Sequence, residues 1–404
     1  MSLIENKFLK LGAEYAPGQE VRQNLDEVEL RGERISGTPV DFSHGDIDAF
    51  EPIPGTLEDF IEGVHLGGKQ AYTEYRGSKI IRENVAEKLS IFTGTTINAD
   101  RNFIITPGTQ GALFLAMGSI LSRGDKVAIV IPDYFANRKI VEFLDGEVVP
   151  IQMDYFKSDT SAGLDLTQLE TAFKDGVKTF LFSNPNNPTG VIYSSTEIRE
   201  IANLAQQYGA TVIVDELYSR QIFGGRSFTH LCAQSSIDPE NLITILGPSK
   251  TESLSGYRLG VAIGSAKIID RMEKLQAIVS LRAGGYSQAV LKSWFAEPEG
   301  WMSDRIAKHQ AIRDDLIATL RAVEGFKVRT TDAGSYLFPQ IPELDVSINE
   351  FVKILRLQAG VIVTPGTEFG PQFTDSFRIN FSQNHKAAVS AIDRVVQIVE
   401  LYRK

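Results

Sequence analysis

Five residues of this sequence have the types and positions needed to hold and activate a charged ligand. Gly108 and Thr109 follow an apolar run and open a helical pattern, so backbone N–H groups and a hydroxyl would face an anion at the positive end of a helix dipole. Asp215 ends a second apolar run, and Lys250 and Arg258 follow a third. Each residue alone has an ordinary structural explanation, such as a helix cap or an ion pair. Together they predict a site with an anion cup, an amine and an acid.

Further polar residues stand just beyond the ends of apolar runs: Gln110, Tyr134, Asn187, Tyr218 and Ser249. The runs are short and β-branched, and they predict strands at 102–106, 126–131, 179–183, 211–215, 242–247 and 259–264. Helical patterns separate them, for example at 110–122 and 195–208. Most of these strands are continuously apolar, as expected when helices cover both faces of a sheet. The alternation predicts an α/β fold with a mostly parallel sheet, in which ligands gather at the carboxyl ends of the strands.

The pattern changes after about residue 290. A helix-rich stretch is followed by short apolar runs and two further helical patterns, at 288–323, 326–330, 335–339, 348–358, 361–364, 377–381 and 385–402. This mixture predicts a smaller α+β domain, on which the irregular first 50 residues would pack. The predicted organisation is a large ligand-binding domain over 50–290 and a small domain made of 1–49 and 291–404.

An amine, a carboxylate and an anion cup are the groups that pyridoxal 5'-phosphate requires. The amine of a lysine forms a Schiff base with the aldehyde of this cofactor, and a carboxylate keeps the ring nitrogen protonated. An amide or a phenol that donates to the ring oxygen tunes the basicity of the imine. The sequence therefore predicts this cofactor, with Lys250 as the amine and Asp215 as the acid.

Several motifs resemble those of the class I/II aminotransferases of fold type I, the aspartate aminotransferase superfamily. In chain order they are Tyr72-Thr73 with Gly77 and Arg82, Asn-Pro-Asn-Asn-Pro-Thr-Gly at 184–190, Asp215 with Tyr218, Ser249-Lys250, Ser-Gly-Tyr-Arg-Leu-Gly at 255–260, Thr364-Pro365-Gly366 and Phe377-Arg378-Ile379. The resemblance extends from about Gly45 to Arg378. It implies a large domain with a mostly parallel seven-stranded-type sheet and a smaller α+β domain from the two chain ends.

The resemblance implies a role for each residue that matches a motif. Lys250 would hold the cofactor and move a proton at the substrate Cα, Asp215 would pair with the ring nitrogen, and Tyr218 would donate to the ring oxygen; these three form the predicted catalytic set. The predicted cofactor-binding set adds the phosphate cup, an amide, a stacking ring and a tyrosine from a second subunit: Gly108, Thr109, Gln110, Ser249, Arg258, Asn187, Tyr134 and Tyr72.

The substrates that the resemblance implies are an L-amino acid and a 2-oxo acid, used in a ping-pong cycle. Arg378 would bind the substrate α-carboxylate as a bidentate fork. Asn187 and the backbone near Gly45 would complete that site. Because Tyr72 would reach the cofactor of another subunit, the resemblance also implies a homodimer with shared sites. No metal is predicted.

Four positions bear on the pocket because they depart from the family pattern or lie near a variable element of it. Gly247 stands where many relatives have a serine for the phosphate, and Phe135 stands where a proline usually follows the aromatic residue. Gln110 replaces the lysine with which one bacterial aspartate-using branch binds the side-chain carboxylate, which argues against a dicarboxylate substrate. Arg282 argues for a dicarboxylate substrate, because it lies near the place where another branch has a second substrate arginine from the partner subunit. It is one position out of register with that arginine.

Composition narrows the remaining classes of protein. The 404 residues include 41 Lys and Arg against 51 Asp and Glu, and a net charge of −10 disfavours nucleic acid as a partner. No apolar run approaches the ~20 residues of a membrane span, and the start MSLIENKFLK lacks the apolar core of a signal peptide. Cys232 is the single cysteine, which excludes intrachain disulfides and favours a cytoplasmic location.

Two other outcomes are open on the same set of residues. A carbon–sulfur β-lyase or an aminocyclopropane-carboxylate-synthase-like enzyme would share the site and differ in the bond that breaks. A non-catalytic regulator that senses the cofactor would carry an N-terminal DNA-binding module and a basic region, and neither is present in this acidic sequence.

Overall fold

The computed structural model describes residues 2–12, 18, 20–26, 28–44 and 50–404. The strands are β1 (Val40–Asp41), β2 (Phe103–Pro107), β3 (Lys126–Ile131), β4 (Glu147–Gln152), β5 (Thr179–Ser183), β6 (Thr211–Asp215), β7 (Leu242–Leu246), β8 (Leu259–Gly264), β9 (Tyr336–Leu337), β10 (Val361–Ile362), β11 (Thr364–Pro365) and β12 (Phe377–Asn380). The helices are α1 (Leu3–Leu9), α2 (Thr56–His65), α3 (Gly68–Ala71), α4 (Lys79–Thr93), α5 (Gly108–Ile120), α6 (Phe135–Phe143), α7 (Leu166–Lys174), α8 (Ser195–Tyr208), α9 (Ala266–Val279), α10 (Gly285–Gln288), α11 (Trp301–Arg321), α12 (Ile348–Ile354) and α13 (His385–Tyr402).

A seven-stranded sheet with the order β2-β8-β7-β6-β5-β3-β4 forms the centre of the larger part of the chain. Its central strands are buried along their whole length, as their continuously apolar sequences require. One face of the sheet packs on α7 and α8, and the other packs on α5 and α9. The predicted α/β fold with a mostly parallel sheet between helices is confirmed.

One strand of this sheet runs against the others. β8 is antiparallel to both of its neighbours, with Pro107 paired to Leu259 and Leu246 paired to Val261. The start of β8 therefore lies at the edge where β2 and β7 end. This reversal brings Arg258, the residue just before β8, to the carboxyl edge of the parallel strands.

A second core lies in the C-terminal part of the chain. Buried side chains of α11, α12 and α13 pack on those of β12, for example Leu316, Phe351 and Phe377. The N-terminal segment adds Val40 and Phe42 to this core, and β1 pairs in parallel with β10. The division into 50–290 and 1–49 with 291–404 stays a proposal, which this shared core supports.

The elements differ from the predicted ones in several places, and the helix-rich stretch predicted at 288–323 is divided, with α11 beginning only at Trp301. The helix predicted at 110–122 begins at Gly108, two residues earlier. The strand predicted at 326–330 is reduced to an isolated bridge between Lys327 and Gln340. β4 was not predicted, because it is an edge strand with alternating exposure that contains Pro150, which only an edge tolerates.

Candidate active site

A cavity of about 360 Å³ opens at the carboxyl edge of the sheet, where residues of the C-terminal part also line it. Most of the predicted site residues lie in its wall: Thr109, Gln110, Tyr134, Asn187, Asp215, Tyr218, Ser249, Lys250, Arg258 and Arg378. They come from different strands and from the turns and helix ends beside them, so the fold brings together groups that are far apart in the sequence.

Two of the described site residues, Gly108 and Tyr72, lie outside this wall. Gly108 packs closely against Arg258. A Cβ on Gly108 would come within 2.7 Å of the Arg258 Nη2 atom. Tyr72 is 75% exposed and stacks on Arg282, whose guanidinium carbon lies 3.8 Å from the ring centroid. Gly45 lies outside the described residues.

The first turn of α5 and Arg258 form the predicted anion cup. No side chain caps the start of α5, so its N-terminal N–H groups have no side-chain acceptor there. Arg258 donates to the Ser255 carbonyl at 2.9 Å, and no carboxylate of the described residues pairs with it. A cation beside a helix N-terminus is unfavourable alone, so both features favour a bound anion.

Close packing in this cup accounts for the glycine at position 247. A Cβ on Gly247 would come within 2.7 Å of the Thr109 Cγ2 atom. The space that a serine side chain would need is therefore taken by the methyl group of Thr109. Gly260 lies equally close, since a Cβ there would meet the Thr109 backbone nitrogen at 2.4 Å.

Asp215 supplies a buried acid at the end of β6. Its carboxyl accepts the backbone N–H of Leu217 at 3.1 Å. Burial raises the pKa of Asp215 to about 7; the hydrogen bond from Leu217 opposes this shift, and the negative charge of Glu216 adds to it. A cationic group bound beside Asp215 would stabilise its ionised form.

A second buried acid, Asp133, holds the loop that carries Asn187. Its carboxylate accepts from the Ser183 backbone at 2.9 Å and from the Ser183 hydroxyl at 2.7 Å. It also accepts from the side-chain amides of Asn137 and Asn186, at 3.1 and 3.2 Å. Asp133 therefore fixes the loop from behind, and the sequence analysis did not identify it.

Arg378 lies on β12 and is 4% exposed. Its guanidinium donates to the Asn187 Oδ1 atom at 3.1 Å and to the Ser43 carbonyl at 2.7 Å, and it stacks on the ring of Tyr336 at 4.4 Å from the centroid. Among the described residues, its Nε has no hydrogen-bond partner and no carboxylate pairs with the side chain. A buried cation held by neutral oxygens is suited to an anionic ligand.

Tyr218 and Tyr336 meet in the cavity wall. The Tyr218 hydroxyl donates to the Tyr336 hydroxyl at 2.8 Å, and both residues are buried. Tyr336 and His44 also line the cavity but were missed from the sequence, since no motif marks a lone tyrosine on a short strand or a histidine in a loop.

The donor set fits pyridoxal 5'-phosphate. The cup supplies N–H groups and a cation for the phosphate, Asp215 supplies the acid, Lys250 supplies the amine, and Tyr218 and Asn187 supply a phenol and an amide. Among the described residues no group of His, Cys, Asp or Glu could hold a metal ion. In the same part of the chain, no helix is long and apolar enough to cross a membrane.

Comparisons with known proteins agree with this geometry. Residues 39–395 match the model of a family described as Aminotransferase class I and II. An aspartate aminotransferase of Sulfolobus acidocaldarius is 28% identical over 342 residues, which cover 82% of this chain and 83% of that protein. An aspartate aminotransferase of Bacillus sp. strain YM-2 is 26% identical over 362 residues, or 88% of this chain and 91% of that protein.

A crystal structure gives the same result. An aspartate aminotransferase from Rhodobacter sphaeroides is 62% identical, with a TM-score of 0.94, and the match covers 99% of this chain and 100% of that chain. These similarities confirm the predicted activity class and do not favour an eliminating enzyme or a regulator. Because the family model matches most of the length of this chain, the chain belongs to the class I and II aminotransferases, a family that depends on pyridoxal phosphate.

Proposed function

We propose that this aminotransferase uses pyridoxal 5'-phosphate bound in the cavity and attached to Lys250, and that it acts on an acidic L-amino acid and a 2-oxo acid. The observation that carries the proposal is Arg378, a buried guanidinium whose partners among the described residues are neutral oxygens. The α-carboxylate is the anion that amino acids and 2-oxo acids share. One arginine can therefore serve both half-reactions of a ping-pong cycle.

The cofactor would be held by the residues already described around the cavity. Gly108, Thr109, Ser249 and Arg258 would hold the phosphate, while Tyr134 would stack on the ring. Tyr134 is itself fixed, because its hydroxyl donates to the Gln110 Oε1 atom at 3.1 Å. This contact also gives Gln110 a role other than binding a substrate carboxylate.

The chain's own residues would then perform separate tasks. Arg378 orients the substrate through its α-carboxylate, which fixes the direction of the Cα–H bond. Lys250, which the amino group of the substrate would release from the cofactor, would then take the proton from Cα and return it, and Asp215 would stay ionised to pair with the ring nitrogen. The bound cofactor supplies the electron sink for the Cα carbanion. Phe369 and Tyr336 flank Arg378 and exclude water from the carboxylate.

The similarity to aspartate aminotransferases supports aspartate as the amino donor. Its side-chain carboxylate requires a second cation. Arg282 has a buried Nε without a partner among the described residues, and it lies on the exposed ring of Tyr72 rather than in the wall of its own cavity. We propose that Arg282 serves the cavity of a second copy of this chain.

An exposed apolar surface supports the proposed homodimer. It joins the segments 72–80 and 278–286, whose exposed side chains are Tyr72, Tyr75, Ile80, Ile278, Val279, Leu281 and Tyr286. Arg282 contacts both Tyr72 and Tyr75, so the two segments are continuous. Contiguous exposed apolar surface of this kind marks interfaces. The single Cys232 supports the proposed cytoplasmic location.

The experiment that tests this proposal is an absorbance titration of the purified protein loaded with pyridoxal phosphate. Aspartate should convert the visible band to a pyridoxamine band, and a 2-oxo dicarboxylic acid should restore it. Alanine should convert the band much more slowly, since it lacks the second carboxylate. Equal rates with both amino acids would contradict the acidic substrate, and the absence of any band would contradict the cofactor site.

A further inference from the structure

Tyr218 and Tyr336 form a buried pair, and each of them comes from a different part of the chain. Tyr218 follows β6 of the large sheet, whereas Tyr336 lies on β9 beside β12. Their rings meet edge to face, with centroids 5.5 Å apart at 79°, and their hydroxyl oxygens are 2.8 Å apart. Two buried phenols at this distance share one hydrogen bond, so the direction of that bond is a property of the site.

The direction of this hydrogen bond matters because each of the two hydroxyls has a single proton. A tyrosine hydroxyl donates one proton and accepts through its lone pairs. In the structure the Tyr218 proton is donated to Tyr336. The proposed function needs that same proton for the ring oxygen of the cofactor. Tyr218 can donate to only one of the two oxygens. Either Tyr336 competes with the cofactor for the Tyr218 proton, or the hydrogen bond between the tyrosines reverses and Tyr336 becomes its donor.

The charges around the pair favour reversal. Burial raises the pKa of Tyr218 well above its ordinary value. Burial also acts to raise the pKa of Tyr336, but that pKa is lowered overall, and the largest lowering cause is the positive charge of Arg378, whose guanidinium carbon lies 4.4 Å from the Tyr336 ring centroid. The more acidic phenol is the better donor, and here it is Tyr336.

We propose that Tyr336 is a positioning residue that donates its hydroxyl proton to Tyr218, so that Tyr218 donates its own proton to the ring oxygen of the bound cofactor. This proposal rests on the proposed function, because it requires the cofactor in the cavity. In a chain of this kind each hydrogen bond polarises the next, so the Tyr218 donation becomes stronger than it would be alone. A phenylalanine at 336 would keep the stacking on Arg378 and lose this effect.

The direction of the chain can be measured through the visible spectrum of the loaded enzyme. A donor to the ring oxygen stabilises its anionic form and so lowers the pKa of the bound chromophore. If Tyr336 strengthens that donor, Tyr336→Phe raises the chromophore pKa, by less than Tyr218→Phe does. If Tyr336 instead competes for the Tyr218 proton, the same variant lowers that pKa. A lowered or unchanged pKa would overturn the proposal.

A matched control is offered by Tyr155. Its buried hydroxyl contacts the Phe338 carbonyl at 3.3 Å, two residues beyond Tyr336 and outside the cavity wall. Tyr155→Phe removes one hydroxyl that contacts the segment of Tyr336, and it should leave the chromophore pKa at the wild-type value. A rise equal to that of Tyr336→Phe would mean that loosening the segment is sufficient, and this too would overturn the proposal.

A double variant separates this inference from the proposed function. In a Tyr218→Phe background the further change Tyr336→Phe should have no effect on the chromophore pKa, because the donor through which it acts is gone. As a second readout, Tyr336→Phe should raise the dissociation constant of the cofactor about two- to tenfold, the equivalent of one neutral hydrogen bond. A wild-type enzyme that forms no visible band would refute the proposed function. A normal band with an unaltered Tyr336→Phe titration would refute only the inference.

Discussion

Two arginines line the same cavity, and they are built in different ways. Arg258 is exposed, stands just before β8 with a left-handed backbone, and is held by one hydrogen bond to the Ser255 carbonyl. Arg378 is buried in β12, held by three neutral oxygens and stacked against the rings of Tyr336 and Phe369. Neither has a carboxylate partner among the described residues.

The difference indicates two kinds of ligand. An exposed arginine beside a helix N-terminus receives its remaining hydrogen-bond partners from the ligand that covers it. This arrangement suits a group that stays bound. A preorganised arginine loses little entropy each time a ligand binds, which suits a ligand that exchanges at every turnover. We therefore expect changes at Arg258 to affect retention of the cofactor, and changes at Arg378 to affect the substrates.

The largest expected effect lies at Lys250, whose loss should leave both arginine sites intact. Lys250→Ala removes the group that moves the Cα proton, so kcat should fall at least ~10³-fold. Binding of the cofactor phosphate and of a substrate carboxylate should survive. Lys139→Ala, which removes a buried lysine that pairs with Glu368 outside the cavity wall, serves as the control and should retain turnover. Substantial turnover in Lys250→Ala would contradict the assignment.

Arg378→Lys should produce the next largest effect. A lysine keeps the charge but loses the bidentate fork, and kcat/KM should fall about 30- to 1000-fold for every amino acid and 2-oxo acid. The dissociation constant of the cofactor should stay unchanged. Arg313→Lys alters a buried arginine outside the cavity, where the guanidinium donates to the Thr331 carbonyl, and should leave KM unaltered. A loss confined to one substrate would exclude a role in α-carboxylate binding.

Asp215 is a buried acid, in contrast to the two arginines. We expect its effect, which is on the free energy of unfolding, to be of intermediate size. Its pKa of about 7 in the folded chain is above the value of an unfolded aspartate, so the folded state binds more protons between these values. The free energy of unfolding of the cofactor-free protein should therefore fall as pH rises from 5 to 7, by about 2 kcal/mol from this group, and level off above.

Urea unfolding at several pH values measures this difference. Asp215→Asn keeps the shape and removes the charge, so the wild type should lose stability relative to this variant over the same range. Asp133 is present in both proteins and its pKa is raised mainly by burial, so most of its pH dependence cancels in the comparison; the charge of Asp215 adds to that shift, and the remainder is part of the Asp215 effect. A difference that is constant with pH would contradict the raised pKa.

The smallest effect is expected at Arg258. Arg258→Ala should raise the dissociation constant of the cofactor about tenfold, and KM of the loaded enzyme should be unchanged. Because Arg258 is exposed, the loss should shrink as ionic strength rises. Fluorescence titration of the cofactor-free protein at two salt concentrations measures it. A change in KM as large as that of Arg378→Lys would remove the distinction between the two arginines.

The elements of the large sheet could be predicted because their sequences are simple. β3, β5 and β6 have the predicted ends, since continuously apolar runs bounded by polar turns allow few other structures. β4 was missed because an edge strand is half exposed and lacks that pattern. The short strands of the C-terminal part owe their pairing to distant partners, which no local pattern records.

The site residues also differ in how well the sequence predicts them, and for the same reason. Asp215 ends a strand, and Thr109 and Lys250 come shortly after strands, so topology alone predicts that they meet. Tyr336 and His44 come from segments whose position depends on the packing of the C-terminal part against the sheet. Asp133 acts behind the cavity through the Asn187 loop, and a buried acid that only orients other residues leaves no spacing to detect.

The reversed strand has a consequence for changes in chain length. Lys250 and Arg258 belong to one loop, 247–258, whose ends are tied to each other because β7 and β8 pair along their length. Lengthening this loop would cost little closure entropy, so the fold would tolerate it. The insertion would nevertheless alter the spacing between the amine and the guanidinium. Natural or laboratory variants should therefore vary in length elsewhere, and an insertion here should yield a folded protein that cannot turn over.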